Sequence, residues 1–388
     1  ARDSGRPAGA RAAGTGAAMA VSAAEVAQAL RGDGTDAAQA ASEVCARLHA
    51  LGGGTPVVSL VAGGPPGSGP PTWGGRFAEA LGQEGGRAAE DTRWRLLDAM
   101  SDARLPPPRR ASYYSQFDEP ALLAVIVAAV SGPSSAAAKR CVRNLARSPD
   151  LRQGLMPAIP ALIDSLDGVA PHEGAAALCN VACLNEAKEK VVASGAVARL
   201  LAAVRRGGLV PDAAEDLVAC LGVLTGGFKP GIEALFQAVA EEDGSATVES
   251  LIDLLRQDES PSLQSVAIDV FGGICAASPR FRGCLVQESS LVREALPELL
   301  RSDSAEVRLA ALELARLLVE SDGFREAFQR AGGVGALQAL LERDRQSSAG
   351  GFGLMAALQL DDGTGIRGAR APSQRELAQG LLSKLLMI

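Results

Sequence analysis

The sequence predicts an all-α protein, a right-handed superhelical solenoid of stacked helical repeats. The first observation is a recurring pattern: Ala136–Gly168 and Glu173–Gly207 share the order helix, polar turn, helix, break, helix. Self-similarity at a period of about 40 residues is typical of stacked helical arrays. The second observation is composition, because the chain is 47% hydrophobic but only 3% aromatic. Small apolar side chains allow helices to approach closely, which favours a solenoid over a thick globular core.

The N-terminal third is predicted to be helical but irregular. Residues 1–21 are expected to form a flexible tail, with an organelle transit peptide as the alternative because the first 24 residues are rich in Arg and poor in acids. A divergent helical region, 22–131, should follow, with a flexible Gly- and Pro-rich loop at 52–75. A helix near Thr92–Ala103 is expected to place Trp94, Leu97 and Met100 on one face.

The repeat array is predicted to span residues 132–345. Its five repeats have apolar anchors at Leu145, Val181, Val223, Ile274 and near Leu317. Ser260 with Pro261, and Asp303 with Glu306, are predicted to open the last two repeats, as helix-start signals. Each repeat can bury its apolar face only by stacking on its neighbours.

The last segment, 346–388, is predicted to be a Gly- and Ser-rich linker followed by one helix. Ser373 and Glu376 have the spacing of a capping box, and four leucines form an apolar stripe: Leu377, Leu381, Leu382 and Leu385. Such a stripe must cover another surface. Two roles stay open, a cap on the final repeat or a docking helix for a partner.

Short motifs connect residues 135–344 with a known family. The strings NLA and NVA contain Asn144 and Asn180, and an apolar-x-x-x-Gly-[Ala/Gly]-Val pattern occurs at Val191–Val197 and Phe328–Val334. On these motifs the chain resembles the armadillo-repeat family, with a HEAT-like string in the last repeat. The resemblance implies an armadillo-type solenoid that binds proteins.

The resemblance also suggests candidate binding residues. In peptide-binding members a ladder of asparagines holds the backbone of an extended ligand in a concave groove, so Asn144 and Asn180 are candidate peptide-binding residues. The next rungs look like Gly222 and Gly273, and the positions of the family's ligand-stacking Trp hold Arg140 and Ala176. This departure argues against recognition of nuclear-import signals. The alternative is that the asparagines only cap backbone groups at helix bends.

No catalytic or metal-binding pattern is found. The two histidines, His49 and His172, are more than 120 residues apart, and seven cysteines form no CxxC pair. Cys179 and Cys183 are interpreted as core packing, because a metal site needs further ligands. The chain is therefore predicted to be neither an enzyme nor a metal or cofactor protein.

One modification site is a candidate. Ser112 follows Arg109 and Arg110, a sequence that Arg-directed kinases prefer, within a Pro-rich segment. A phosphate there would add negative charge beside two arginines. Ser112 is thus a possible phosphosite.

Charge and hydropathy limit the classes of partner that the chain is expected to bind. Residues 111–388 hold 34 acidic and 26 basic side chains, which argues against nucleic acid and favours basic protein segments. The longest apolar run, Ala121–Val130, is too short to cross a bilayer, so no membrane insertion is expected. The cysteine usage suggests an intracellular, reducing compartment, the cytoplasm or alternatively an organelle.

The sequence therefore predicts a non-catalytic armadillo-type scaffold that acts as a structural subunit of a larger protein complex. The first alternative is a transient peptide-binding adaptor. The second is an assembly factor with an unrecognised activity in the N-terminal third.

Overall fold

The computed structural model describes most of the predicted repeat array and part of what precedes it. The described residues are 25–26, 43–44, 73–82, 87–102, 111, 113–241, 244–257, 259–350 and 373–386. Within these ranges the regular secondary structure is helical, and the chain divides into two compact units, Ala1–Ala161 and Leu162–Ile388. The predicted tail, most of the predicted 52–75 loop and Ser112 lie outside the described residues.

The N-terminal unit contains two pairs of packed helices. Its helices are α1 (Trp73–Gly82), α2 (Arg87–Ser101), α3 (Pro120–Ala129), α4 (Ser135–Leu145), α5 (Pro149–Leu155) and the start of α6 (Ile159–Asp164). Helix α1 packs on α3, and α2 packs on α4. Trp94, Leu97 and Met100 on α2, which were predicted to share one face of the helix, are all buried.

The C-terminal unit contains the remaining helices. They are α7 (Pro171–Val181), α8 (Asn185–Ala193), α9 (Ala196–Arg205), α10 (Pro211–Thr225), α11 (Lys229–Glu241), α12 (Gly244–Leu255), α13 (Pro261–Ala277), α14 (Pro279–Glu288), α15 (Leu296–Leu299), α16 (Ala305–Leu318), α17 (Phe324–Arg330), α18 (Gly333–Gly350) and α19 (Gln374–Leu386). A π-helical turn, Leu291–Ala295, precedes α15. Proline stands in the first turn of α7, α10, α13 and α14, where its missing N–H costs no hydrogen bond.

Four of these helices form the central stack, defined as α7, α10, α13 and α16. Each packs side by side on the next, and together they supply much of the core of this unit. Helices α10 and α13 approach closely, because a Cβ added at Gly222 would lie 3.3 Å from Cγ2 of Val270. A larger side chain at this position would push the two helices apart.

The armadillo-like motif has the same backbone in both of its copies. Gly195, between α8 and α9, has φ 77°, and Gly332, between α17 and α18, has φ 75°. This left-handed conformation favours glycine and reverses the chain between two helices. The apolar residue that opens each copy, Val191 or Phe328, is fully buried. Two stretches of different sequence therefore share one structural turn.

Several predicted boundaries were wrong by a few residues. The loop expected to reach Gly75 ends earlier, because α1 begins at the buried Trp73. The linker expected from residue 346 starts later, since α18 continues to Gly350. The cap of α16 is Ser304 rather than Asp303, because the Ser304 hydroxyl accepts a hydrogen bond from the backbone N–H of Val307. The domain boundary predicted between residues 131 and 132 followed the repeat pattern and stays a prediction.

The last helix, α19, extends the central stack by one helix. The Ser373 backbone N–H and hydroxyl both donate to the Glu376 carboxylate, which is the predicted capping box. Gln374 donates to the carbonyl oxygen of Ala305 at the start of α16, and Lys384 pairs with Glu320 just beyond its end. Helix α19 therefore runs parallel to α16, and of its predicted stripe Leu377, Leu381 and Leu385 are buried while Leu382 is half-buried. This packing corresponds to the capping alternative.

The packing of α19 gives a first testable prediction. Truncation of the buried Leu381 to Ala should weaken its docking by about 2–5 kcal/mol, since a buried leucine loses both apolar contact and packing. Amide hydrogen exchange should then accelerate across 374–386 and along α16. Gln379→Ala, at an exposed position of the same helix, is the control and should leave exchange unchanged.

Candidate functional site

One side of the central stack is exposed and acidic. We call it the acidic face and define it by four carboxylates: Glu215 on α10, Asp269 on α13, and Glu306 and Glu313 on α16. In each helix the acidic residues lie opposite the buried stripe, at helical spacing from small residues such as Ala219, Gly272 and Ala310. This arrangement places negative charge on a surface with few large side chains.

Hydrogen bonds hold two of these carboxylates across helix boundaries. The Ser262 hydroxyl on α13 donates to Oε1 of Glu215 on α10, at 2.9 Å. The Ser265 hydroxyl on α13 donates to Oε1 of Glu306 on α16, at 3.4 Å. Helix α13 thus anchors one carboxylate on each neighbouring helix and fixes the orientation of this part of the face.

A cavity of about 270 Å³ opens between α13 and α16 on this face. Its polar lining consists of the carboxylates of Asp269 and Glu313, one from each helix. The rest of the lining is apolar or glycine: Ile268, Gly272, Gly273, Ala310, Leu314 and Leu317. The cavity therefore combines negative charge with walls that can contact methylene groups.

The environment of Asp269 destabilises the charged form of its carboxyl group relative to the protonated form. Partial burial raises the pKa of its carboxyl above the usual range, and the neighbouring charges of Glu313 and Glu306 raise it further. A carboxylate in this situation is stabilised by an approaching cation. The site is therefore suited electrostatically to a positively charged group.

Asn144, the first predicted peptide-binding residue, lies in the N-terminal unit and is only 4% exposed. Its side-chain Nδ2 donates to Oδ1 of Asp98 at 3.2 Å and to the Ser101 hydroxyl at 3.3 Å. Arg140, one turn earlier on α4, donates to the other oxygen of Asp98 at 2.7 Å. In this structure the amide of Asn144 joins α4 to α2, and its role in peptide binding stays a prediction.

Asn180, the second predicted peptide-binding residue, is half-buried on α7 in the C-terminal unit. The two asparagines thus belong to different compact units. The predicted positions of the next rungs, Gly222 and Gly273, lie on α10 and α13, and Gly273 lines the cavity. The role of Asn180 in peptide binding also stays a prediction.

The cysteines divide into buried and exposed groups. Cys141, Cys220 and Cys275 are buried, whereas Cys183 and Cys284 are exposed and Cys179 is intermediate. The interpretation of Cys179 and Cys183 as core packing was therefore wrong for Cys183, because α7 ends at Val181 and Cys183 lies in the turn that follows. Burial raises the pKa of the Cys275 thiol to about 12, and it also raises the pKa values of the Cys141 and Cys220 thiols. The three buried thiols therefore stay protonated and act as small apolar side chains.

The described residues contain neither a helix that could span a membrane nor a cluster of metal ligands. Among those residues, no helix combines the length and apolar character required to cross a bilayer. In the same part of the chain, His, Cys, Asp and Glu side chains form no group of three or more that could hold a metal ion.

Comparison with solved structures identifies the fold. An engineered protein superposes with a TM-score of 0.53 at 20% identity, over 63% of this chain and 95% of its own. Computationally designed armadillo repeat proteins for modular peptide recognition give 0.52 at 19% identity, over 62% and 98%. A structure from work on a phosphorylation switch that controls the interaction between cadherin and beta-catenin gives 0.56 at 15% identity, over 83% and 57%. The fold is an armadillo-repeat solenoid.

Sequence comparison, unlike structural comparison, identifies no match. No protein-family model matches the chain, and no curated protein matches it at a significant level. The armadillo fold predicted from the repeated motifs is thus confirmed by structural likeness alone.

The cavity residues were not predicted from the sequence. The acidic balance of residues 111–388 is visible there, but neither Asp269 nor Glu313 was a candidate site residue. The sequence feature that could have indicated these two carboxylates is their position among small residues, opposite the apolar stripes of α13 and α16. That signal requires knowing which helices are neighbours, and α13 and α16 are separated by three other elements.

The contacts of Asn144 give a second prediction. Asn144→Ala removes two hydrogen bonds and leaves Asp98 with fewer partners, so the N-terminal unit should lose about 1–3 kcal/mol of stability. Urea unfolding followed by tryptophan fluorescence measures this unit, because the only two tryptophans, Trp73 and Trp94, both lie in it. Asn180→Ala, in the other unit, is the matched control and should leave the tryptophan transition unchanged.

The raised pKa of Asp269 gives a third prediction. Asp269→Asn should stabilise the protein at pH 7 by a few tenths of a kcal/mol, the usual order for removing a like-charge contact. As the pH falls through the raised pKa, wild-type Asp269 takes up its proton and the difference should disappear. Urea midpoints at a series of pH values from 7 down to about 3, below the usual pKa of an aspartate, test this. Glu189→Gln, an exposed carboxylate on α8, should not reproduce the effect.

Proposed function

We propose that this chain is a non-catalytic armadillo scaffold that holds a protein partner as a structural subunit of a larger assembly. The observation that carries the proposal is the acidic face, an exposed surface built from successive helices of the central stack. An array of this type offers a long surface without needing a single deep site. The likeness to designed armadillo proteins for peptide recognition supports a protein partner.

A permanent role is favoured over transient peptide binding by the asparagine positions. Asn144 is committed to Asp98 and Ser101, and the next ladder positions hold glycine. A structural subunit needs no complete asparagine ladder, because broad surfaces hold it in place. The proposed partners are therefore proteins with basic segments, and neither nucleic acid nor membrane is proposed.

The alternative is an adaptor that binds an extended segment transiently. The cavity between α13 and α16 favours it, because it is a defined site for one side chain of such a segment. An assembly factor with an activity in residues 22–118 has no comparable supporting observation.

The fourth prediction separates these functions. Native purification from the source, followed by native electrophoresis and mass spectrometry, should find the chain in one large complex of fixed stoichiometry. Migration near 39.6 kDa with weakly held partners would favour the adaptor. In that case Asn180→Ala should reduce partner recovery, whereas a structural subunit should tolerate this exchange. Purified protein that turns over a substrate would contradict both functions.

A further inference from the structure

Two cysteine thiols lie together at the end of α7. Cys179 stands on the last turn of this helix and is half-buried, whereas Cys183 lies in the turn that leads to α8 and is exposed. The Cys183 thiol donates a hydrogen bond to the carbonyl oxygen of Cys179, with 3.4 Å between Sγ and the oxygen. Because residues four apart are neighbours on a helical surface, the two side chains lie on the same side of the chain.

The spacing of these two cysteines is compatible with a disulfide bond. Cα atoms four residues apart on a helix lie about 6 Å from one another, within the range of about 4.4–6.8 Å found across disulfides. Their Cβ atoms lie about 5–6 Å apart and would have to approach to about 4 Å. Since α7 ends at Val181, Cys183 can make this movement while the helix stays intact.

A third thiol, that of Cys220 on α10, lies close enough to interact electrostatically with both cysteines. Unlike them, Cys220 is fully buried, and burial raises the pKa of its thiol, so it stays protonated. Within the described ranges, these three thiols belong to no group that could hold a metal ion. Cys183 is therefore the member of this cluster that an oxidant in solution can reach, and Cys179 is beside it.

We propose that Cys183 is a site of reversible oxidation and that Cys179 is the thiol that resolves it, closing a disulfide between the two. Cysteines that sense oxidants are accessible to solvent and often have a resolving cysteine next to them. A disulfide that is exposed and strained is of the labile, easily reduced kind. In reducing compartments the disulfides that do form are usually transient and redox-sensing. The inference does not depend on the proposed scaffold function.

The oxidant is a peroxide, with hydrogen peroxide as the simplest case. The Cys183 sulfur attacks one peroxide oxygen, so that an S–O bond forms and the O–O bond breaks, giving a sulfenic acid and one water that takes up the thiol proton. The Cys179 sulfur then attacks the sulfur of the sulfenic acid. The S–S bond forms, the S–O bond breaks, and a second water leaves with the Cys179 proton. The two thiols thus lose two electrons, and one peroxide gains them.

The disulfide would change the connection between α7 and α8. Closing it removes the hydrogen bond of the Cys183 thiol and draws Cys183 toward α7, two residues before Asn185, where α8 begins. Asn180, the candidate binding residue, lies between the two cysteines in the sequence. Oxidation therefore alters the backbone beside Asn180 and at the start of α8.

The fifth prediction uses the full chain and hydrogen peroxide at neutral pH. After alkylation of the remaining thiols under denaturing conditions, trypsin releases one peptide, residues 153–188, that contains both Cys179 and Cys183. From the oxidised protein this peptide should carry no alkyl group and should lack the two thiol hydrogens. Dithiothreitol should restore both alkylations. Cys220 lies in a different tryptic peptide, so a disulfide to it would appear as a cross-linked pair of peptides.

Variants separate the roles of the two thiols. In Cys179→Ser the sulfenic acid lacks its resolving thiol, so its capture by dimedone should be at least about tenfold greater than in wild type, where a neighbouring thiol reacts intramolecularly. Cys183→Ser should leave Cys179 available for alkylation after the same treatment. The matched control is Cys284→Ser, which removes an exposed thiol on α14 and should leave the yield of the disulfide unchanged. Far-UV circular dichroism checks that each variant is folded.

Several outcomes would overturn the proposal. They are full alkylation of both cysteines in residues 153–188 after peroxide treatment, conversion of Cys183 to sulfinic or sulfonic acid without a disulfide, or a bond from Cys179 to Cys220. Equal capture by dimedone in wild type and Cys179→Ser would overturn the role of Cys179. None of these results bears on the scaffold function, because that is judged by recovery of the native complex.

Discussion

The structure depends on one constraint, which is that no single repeat can cover its own apolar face. Helix α13 shows this most clearly, since its buried residues contact α10 on one side and α16 on the other. The contact is made largely by small and aliphatic side chains, so the distance between helices is set by residues such as Gly222 and Val270. Stability is therefore shared among neighbours, and a change in one helix is felt by the next.

The same constraint leaves one side of every stacked helix uncovered. On α10, α13 and α16 that side carries carboxylates and small residues, and hydrogen bonds from Ser262 and Ser265 orient two of the carboxylates. The acidic face is thus a product of the stacking and needs no loop or insertion to build it. The proposed binding surface therefore lies on the helices themselves, in contrast to folds that carry binding residues on loops.

Much of the fold was visible in the sequence because its signals are local. Capping boxes, Pro at helix starts and Gly at the left-handed turns act within a few residues, so Ser373 with Glu376 and the turn at Gly195 could be predicted. Helix α1 was missed, since Trp73 follows a long Gly- and Pro-rich stretch that suggested a loop throughout. The burial of Asn144 against Asp98 was also hidden, because the two residues are 46 positions apart. Prediction of the cavity would have required the relative register of α13 and α16. That register is determined by the intervening α14, π-helical turn and α15.

Helix α19 affects the surface through which copies of this protein could self-associate. A stack of amphipathic helices ends in an apolar edge, and an open edge of this kind invites a second copy to add head to tail. Because α19 lies parallel to α16, as a further helix of the stack would, it closes that edge with a helix whose exposed residues are mostly polar, such as Arg375, Gln379 and Ser383, apart from Leu386 at its end. The capping helix thereby covers the apolar side of α16 and disfavours the addition of a second copy at that surface.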